Sequence, residues 1–201
     1  MNDRFYTLKA PSEAIYRVKG SKFIGFAFPV FSESEIKEHL DELHKKYFDA
    51  THHCYAWALG ANRQKHREND DGEPSGSAGR PIYGQILSAD LSNILIVVVR
   101  YFGGTKLGVS GLIDAYKNAA KASIEEGTII EKFEEDLVKI DFSYHEMNVV
   151  MKFLKDRDLT VLQPQFDLRC SLQTACRKSQ SPELISALNE IEGVSAEILL
   201  F

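Results

Sequence analysis

The sequence predicts an α+β fold in two domains, and three observations carry that prediction. Past residue 134 the hydrophobic pattern switches between strand and helix periods in the order βαββαβ. Ile94 to Val99 is an unbroken apolar run of strand length, the mark of a strand covered on both faces. An acidic run, Glu131–Asp136, separates a charge-balanced part from an acidic one. Residues 1–133 hold 17 Lys+Arg and 17 Asp+Glu, whereas residues 134–201 hold 7 against 12, which accounts for the whole net charge of −5. The predicted domains are therefore 1–133 and 134–201.

In chain order, Tyr6–Lys9 and Glu13–Val18 read as strands on either side of the Pro11-Ser12 turn. Phe23–Val30 is a third strand that includes Gly25. Ser32 or Ser34 can cap a helix running to about Tyr47, with Ile36, Leu40, Leu43 and Tyr47 as its apolar stripe. His52–Leu59 is a strand. Residues 60–80 read as loop because turn formers dominate them. A short helix is predicted from Pro81 to about Leu87, Pro being favoured in a first helical turn. Asn93–Arg100 is the buried strand, followed by the glycine-rich loop Gly103–Gly108. Ser110–Glu126 is a helix with Leu112, Ile113, Tyr116, Ala120 and Ile124 inward and Gly127 ending it.

In the tail, Val138, Ile140 and Phe142 alternate with Lys139, Asp141 and Ser143, as in a half-buried strand. Glu146–Asp156 is helical, with Val149, Val150, Phe153 and Leu154 apolar. Thr160–Phe166 and Leu168–Cys176 form a hairpin, and Leu168, Cys170, Leu172, Thr174 and Cys176 share a face. A helix starts at Ser181-Pro182 with Leu184, Leu188 and Ile191 inward, and Val194–Leu200 is the last strand. This order is that of a ferredoxin-like sandwich.

Composition excludes several classes. Hydrophobic residues make up 44% and charged residues 26%, an ordinary globular balance. No apolar stretch approaches the roughly 18 residues of a membrane span. No apolar segment follows Met1-Asn2-Asp3-Arg4, so no secretory signal is predicted. The three cysteines, Cys54, Cys170 and Cys176, include no C-x-x-C pair. Cys170 and Cys176 would lie about 20 Å apart on one strand, too far for a disulfide or a shared metal. A reducing cytoplasm and no membrane association are expected. Neither half is globally basic, which argues against a nonspecific duplex-DNA coat. A local patch remains, because Arg100, Lys106, Lys117 and Lys121 face one acid, Asp114, in residues 100–121.

Four motifs bear on chemistry. A buried strand, a glycine-rich loop and a helix start make an anion site at Arg100, Gly103, Gly104, Thr105 and Lys106. It is not a Walker A, since Val109-Ser110 follows Gly108 where Lys-Ser/Thr is required. The alternative is a tight turn that glycine permits. The loop Asp70, Asp71, Gly72, Glu73, Pro74 offers two acids near Ser75, which could bind Mg²⁺ or act as acid and base, or simply form turns. In His52-His53-Cys54, His52 and Cys54 share a strand face about 7 Å apart, poor geometry for a nucleophile pair. Tyr55 and Trp57 could stack on bases or pack in the core. Arg63, Lys65 and Arg67 form a basic run that could join Arg80, Arg100 and Lys106 in one phosphate-binding surface if the loops converge. Ser75 and Ser77 belong to the same prospective surface. No catalytic set, metal-ligand set or cofactor is predicted.

Asp70-Asp71-Gly72-Glu73-Pro74-Ser75-Gly76-Ser77-Ala78-Gly79-Arg80-Pro81-Ile82 and Val98-Val99-Arg100-Tyr101-Phe102-Gly103-Gly104-Thr105-Lys106-Leu107-Gly108 closely resemble the signature blocks of the IMPACT/YigZ family. Thr51-His52-His53-Cys54 resembles a third block. The resemblance implies an N-terminal domain similar to ribosomal protein S5 domain 2. It also implies a smaller ferredoxin-like domain similar to one of elongation factor G, as in bacterial members. Both relatives work on the ribosome, so the resemblance implies a non-catalytic, translation-associated regulatory protein. Its partners would be the ribosome or RNA, or a translation-factor or regulatory protein. Eukaryotic relatives regulate translation by competing for the activator of a starvation-responsive kinase; this sequence departs from them in carrying the bacterial tail and no RWD segment. Two other readings stand beside this one: a hydrolase using Asp71, Glu73 and Ser75 on a phosphorylated or peptide substrate, and a protein–protein interaction module.

Overall fold

The computed structural model describes residues 3–199, which form two compact units. The larger comprises residues 5–132 and the smaller residues 3–4 with 133–199.

The larger unit is organised around a five-stranded antiparallel sheet. Its strands are β2 (Ser12–Val18), β3 (Ser21–Pro29), β4 (His52–Leu59), β5 (Lys65–Asn69) and β6 (Ile94–Tyr101), in the order β2-β3-β6-β4-β5. A two-stranded ribbon of β1 (Arg4–Leu8) and β7 (Ile129–Phe133) accompanies it. Helices α2 (Gly79–Ser88) and α3 (Gly108–Glu125) cover one face, packing Ile82, Ile86, Tyr116 and Ala119 on Phe23, Cys54, Ile96 and Val98. Helix α1 (Glu33–Lys46) covers the other, packing Ile36 and Leu43 on Trp57, Leu95, Val97 and Val99. Coverage of both faces is why β6 carries no polar alternation: Ile94 through Val99 are all fully buried. At its central register Val98 lies opposite Cys54 on one side and Gly25 on the other. A Cβ on Gly25 would stand 2.5 Å from the Ala119 carbonyl oxygen, so the glycine lets α3 lie against the sheet.

Local chemistry sets the helix ends. Ser32 Oγ accepts from Glu35 N–H at 3.2 Å, and Glu35 Oε2 reaches back to accept from Phe31 N–H at 2.9 Å. In α3 the inward stripe is Leu112, Ala115, Tyr116, Ala119, Ala120, Ser123 and Ile124. Ile113, expected inward, is exposed, because it falls one position off the face that the alanines lay on the sheet. Strand β5 corrects the expected loop over 60–80. Lys65–Asn69 pairs with β4, with Leu59 opposite Lys65 and Tyr55 opposite Asn69. Its sequence Lys-His-Arg-Glu-Asn has no apolar residue to give a period, and the backbone ladder alone defines it; charged side chains suit an edge strand.

The smaller unit is a four-stranded antiparallel sheet in the order β11-β8-β10-β9, from β8 (Glu135–Ser143), β9 (Leu162–Gln165), β10 (Arg169–Arg177) and β11 (Val194–Ile198). Helices α4 (Met147–Asp156) and α5 (Ser181–Asn189) supply Val150, Leu154, Leu184 and Leu188 to a core with Ile140, Phe142, Cys170, Leu172 and Cys176. Cys54, Cys170 and Cys176 are all free and buried. Leu168, expected on the buried face of β10, is exposed at the hairpin tip just before that strand begins, and Val149 lies on the outer side of α4. The last strand closes at Ile198; Leu200, expected in it, lies outside the described residues.

Candidate functional site

At one end of the five-stranded sheet, the start of β4, the residues just after β6, Glu73-Pro74 and the start of α3 border an open cleft of about 390 Å³. Pro74, Phe102, Leu107, Val109 and Leu112 give it apolar walls. Thr51, His52, Glu73, Arg100 and Lys106 contribute its polar groups.

A buried ion pair lines this cleft. Arg100 donates through Nη1 to Glu73 Oε1, and that oxygen also accepts from Tyr116 Oη at 2.7 Å. Arg100 and Glu73 are 6% and 9% exposed, so the pair is removed from water while remaining part of the cleft wall. The guanidinium lies over two rings, 5.5 Å from the Phe23 centroid and 5.7 Å from that of Phe102. Its Nε is buried without a hydrogen-bond partner. His52 Nε2 stands 3.8 Å from Glu73 Oε1, and its Nδ1 donates to the Asp71 carbonyl oxygen at 2.7 Å.

The two acids of the loop have separate partners. Asp71 Oδ2 accepts from the His53 backbone N–H at 2.6 Å, whereas Glu73 is bound to Arg100 and Tyr116. Burial pushes the Cys54 thiol far above its ordinary range, and its Sγ–H donates to the Asp70 carbonyl at 3.0 Å. Burial also raises the Tyr116 hydroxyl well above the usual phenol range, with Cys54 and Glu73 adding to the rise. Both groups therefore stay protonated at neutral pH, and neither is a thiolate or phenolate nucleophile. Among the described residues, no group of three His, Cys, Asp or Glu side chains is placed to hold a metal ion.

Asp70 holds the loop in shape. Its Oδ2 accepts from Gly76 N–H at 2.8 Å, and its Oδ1 accepts from Ala78 and Gly79 N–H at 3.0 and 2.8 Å. The carboxylate thus caps α2 from eight residues upstream, where the N-cap residue Ala78 has no side chain to do so. Asp71 sits at φ +42, a left-handed conformation that Asp tolerates, and Gly72 follows at φ +83.

The other predicted site residues are dispersed. Arg100 is not a surface phosphate ligand: its charge is spent on Glu73 inside the fold. Ser77 is fully buried and its Oγ donates to the Pro74 carbonyl at 2.6 Å, so it closes a turn and faces no ligand. Trp57 is buried beneath α1, and Tyr55 is half-buried on the same face, because that helix occupies the surface a stacking platform would need. Ser75 and Arg80 are exposed but line no part of the cleft. Gly103 is a packing glycine, since a Cβ there would stand 1.9 Å from the Gly20 carbonyl carbon, and its N–H donates to Ser21 Oγ at 3.1 Å. Gly104 and Thr105 are exposed in the loop, and Lys106 reaches the cleft rim. Arg63 and Lys65 are engaged by Asp90 and Glu33. Sequence reasoning missed Phe102, Val109 and Tyr116 as site residues. The available signal was an aromatic immediately before a Gly-Gly pair.

Residues 19–124, which include every wall of this cleft, match the Impact N-terminal domain. The chain belongs to the IMPACT family. It is similar to the IMPACT family member YvyE of Bacillus subtilis (strain 168), 26% identical over 96% of this chain and 89% of that one. It is also similar to the IMPACT family member YigZ of Escherichia coli (strain K12), 28% identical over 94% of both chains. A crystal structure described as that of a hypothetical protein superposes on it with a TM-score of 0.75 at 26% identity, over 100% of this chain and 98% of the other. No helix among the described residues is long and apolar enough to cross a membrane.

Proposed function

We propose that this IMPACT-family chain is a translation-associated regulatory protein of the cytoplasm that contacts RNA, at the ribosome, through the cleft at the start of α3, without turning over a substrate. One observation carries the reading. The cleft rim combines Lys106 with the N-terminus of an 18-residue helix whose first turn holds no acid and whose N-cap, Leu107, offers its N–H groups no side-chain acceptor. Backbone donors, a helix dipole and an exposed cation together suit a phosphate group. Beside them Phe102, 48% exposed, presents a ring next to the rim.

The fold reading supports the same conclusion. We take the smaller unit as ferredoxin-like, since the order β11-β8-β10-β9 places the first and third strands of a βαββαβ chain in the middle. We take the larger unit as similar to ribosomal protein S5 domain 2, as the family resemblance implies. The helix-free face of the smaller sheet carries Lys139, Asp141, Ser171 and Gln173 and no aromatic ring on its strands.

Co-sedimentation with ribosomes at low and high salt tests the proposal, with Lys106→Glu beside the wild type. Salt-sensitive pelleting that Lys106→Glu weakens is expected, because phosphate contacts release counterions. Absence of pelleting at any salt overturns ribosome contact. Arg100 is unsuitable for this test, since its replacement disrupts the core.

A further inference from the structure

We infer that the free edge of β2 is an interface between two copies of this chain, which pair β2 antiparallel to β2 about a two-fold axis at Ile15 and so join their five-stranded sheets into one. The two larger sheets end in the outer strands β2, β5, β9 and β11, and all but β2 are guarded. Strand β9 carries Pro164, its Gln163 sits at φ +43, and its register against β10 shifts. On β11 the Asn189 side chain occupies the edge at Ala196, accepting from its N–H at 2.8 Å and donating to its carbonyl at 3.2 Å. Strand β5 reads Lys-His-Arg-Glu-Asn, and a copy paired antiparallel about its central Arg67 would set that cation against itself. Strand β2 has none of these devices. It keeps unbroken register with β3, from Ser12 opposite Ala27 to Val18 opposite Ser21, without proline, lysine or bulge.

The turn at the end of β2 fixes which of its backbone groups face outward. Lys19 and Gly20, at φ +45 and +82, form a two-residue connection, so Val18 and Ser21 exchange the closing bonds. Alternation then commits Tyr16, Ala14 and Ser12 to β3 and turns the N–H and C=O of Arg17, Ile15 and Glu13 outward. Among the described residues these outward groups have no hydrogen-bond partner. The same three residues carry the exposed side chains of the strand, Ile15 at 50%. Their row is its own complement. Centred on Ile15, antiparallel pairing sets Ile15 against its copy, Glu13 against Arg17 of the second copy and Arg17 against its Glu13, each pair exchanging two main-chain bonds. On the opposite face Tyr16 falls against Ala14, a large side chain beside a small one. Ile15 lies opposite Ile24 of β3, a member of the core beneath α1, so pairing continues that apolar row across the axis. Helix α3 packs on both β2 and β3, so its copy would stand about 10 Å away, a helix-packing distance. Asn118, 3.5 Å from Tyr16 Oη, shares its side of α3 with Ala115 and Ala122, side chains small enough for that approach.

The test follows the mass of the whole chain by sedimentation equilibrium, from low micromolar to near-millimolar concentration. A monomer–dimer equilibrium is expected. Glu13→Arg sets cations against each other at both symmetry-related pairs, and Arg17→Glu sets carboxylates against each other there. Each should weaken the dimer by about tenfold or more, since both pairs change sign together. The double variant Glu13→Arg/Arg17→Glu exchanges the charges and should restore the dimer. An equimolar mixture of the two single variants should form a heterodimer of near wild-type affinity. Both side chains are exposed, so the urea midpoints of the dilute variants should match the wild type, which separates loss of pairing from loss of fold. A chain that stays monomeric throughout overturns the self-pairing and leaves the edge to a strand of a different protein. A dimer that neither single variant weakens lies on another surface and overturns it as well. Weakening that the double variant and the mixture both fail to reverse overturns the pairing centred on Ile15.

Discussion

Replacing Arg100 with methionine keeps most of the side-chain volume but strands the Glu73 carboxylate beside the cleft. That carboxylate is 9% exposed and would retain Tyr116 Oη, 2.7 Å away, as its donor. Removing one partner of a buried ion pair costs about 3–5 kcal/mol, because the remaining charge has lost both water and its counter-ion. Glu73→Leu strands the guanidinium instead and also leaves the Tyr116 hydroxyl without its acceptor, a further loss of about 1–3 kcal/mol. In the double variant both charges disappear and only the hydroxyl is unsatisfied. The double variant should therefore be more stable than Glu73→Leu alone, and the two single losses should exceed the double by well over 1 kcal/mol. The chain has one tryptophan, Trp57, buried in this same unit, so urea unfolding followed by tryptophan fluorescence reads the correct transition. The midpoint should move while the slope stays constant. Additive single losses, or single losses below about 1 kcal/mol, would refute the buried-pair account.

Two other perturbations have definite outcomes. Asp70→Ala removes the acceptor for Gly76, Ala78 and Gly79 N–H and should destabilise the larger unit by about 2–4 kcal/mol, against a smaller loss for Asp70→Asn; urea midpoints check both. His53 is 5% exposed and its ring lies 4.1 Å from that of His44, so burial, reinforced by the neighbouring histidine, holds its pKa below the ordinary 6.5 despite the Asp71 carboxylate 4.0 Å away. The unfolded chain then binds a proton that the folded chain refuses. This contribution is fully present above pH 6.5 and is lost as the pH falls from there through the lowered folded value; His53→Gln should flatten that slope in stability measured from pH 7 to 5.

Much of the architecture was legible in residue order because it is written in local period. The β6 run Ile94–Val99, the α1 stripe with its Ser32 cap, and the alternation of Val138, Ile140 and Phe142 each follow from which side chains must leave water. Strand β5 was illegible for the converse reason: an edge strand of charged residues has no apolar period, and its existence rests on backbone pairing with β4. The family blocks located the site region in the chain, Asp70–Ile82 and Val98–Gly108, but not the roles within it. Arg100 and Lys106 are both cations in one block. Six residues apart in sequence, they separate only in three dimensions, where β6 carries Arg100 inside to meet Glu73 and the glycine-rich loop leaves Lys106 at the rim. Ser77 and Trp57 likewise turned from candidate ligand contacts into a closed turn and a covered face once α1 and the 70–79 loop were in place. Sequence by itself determined periodicity, and with it the elements and their buried sides. Only the tertiary structure decided which polar groups face each other or a ligand, because desolvation and pairing depend on neighbours distant along the chain.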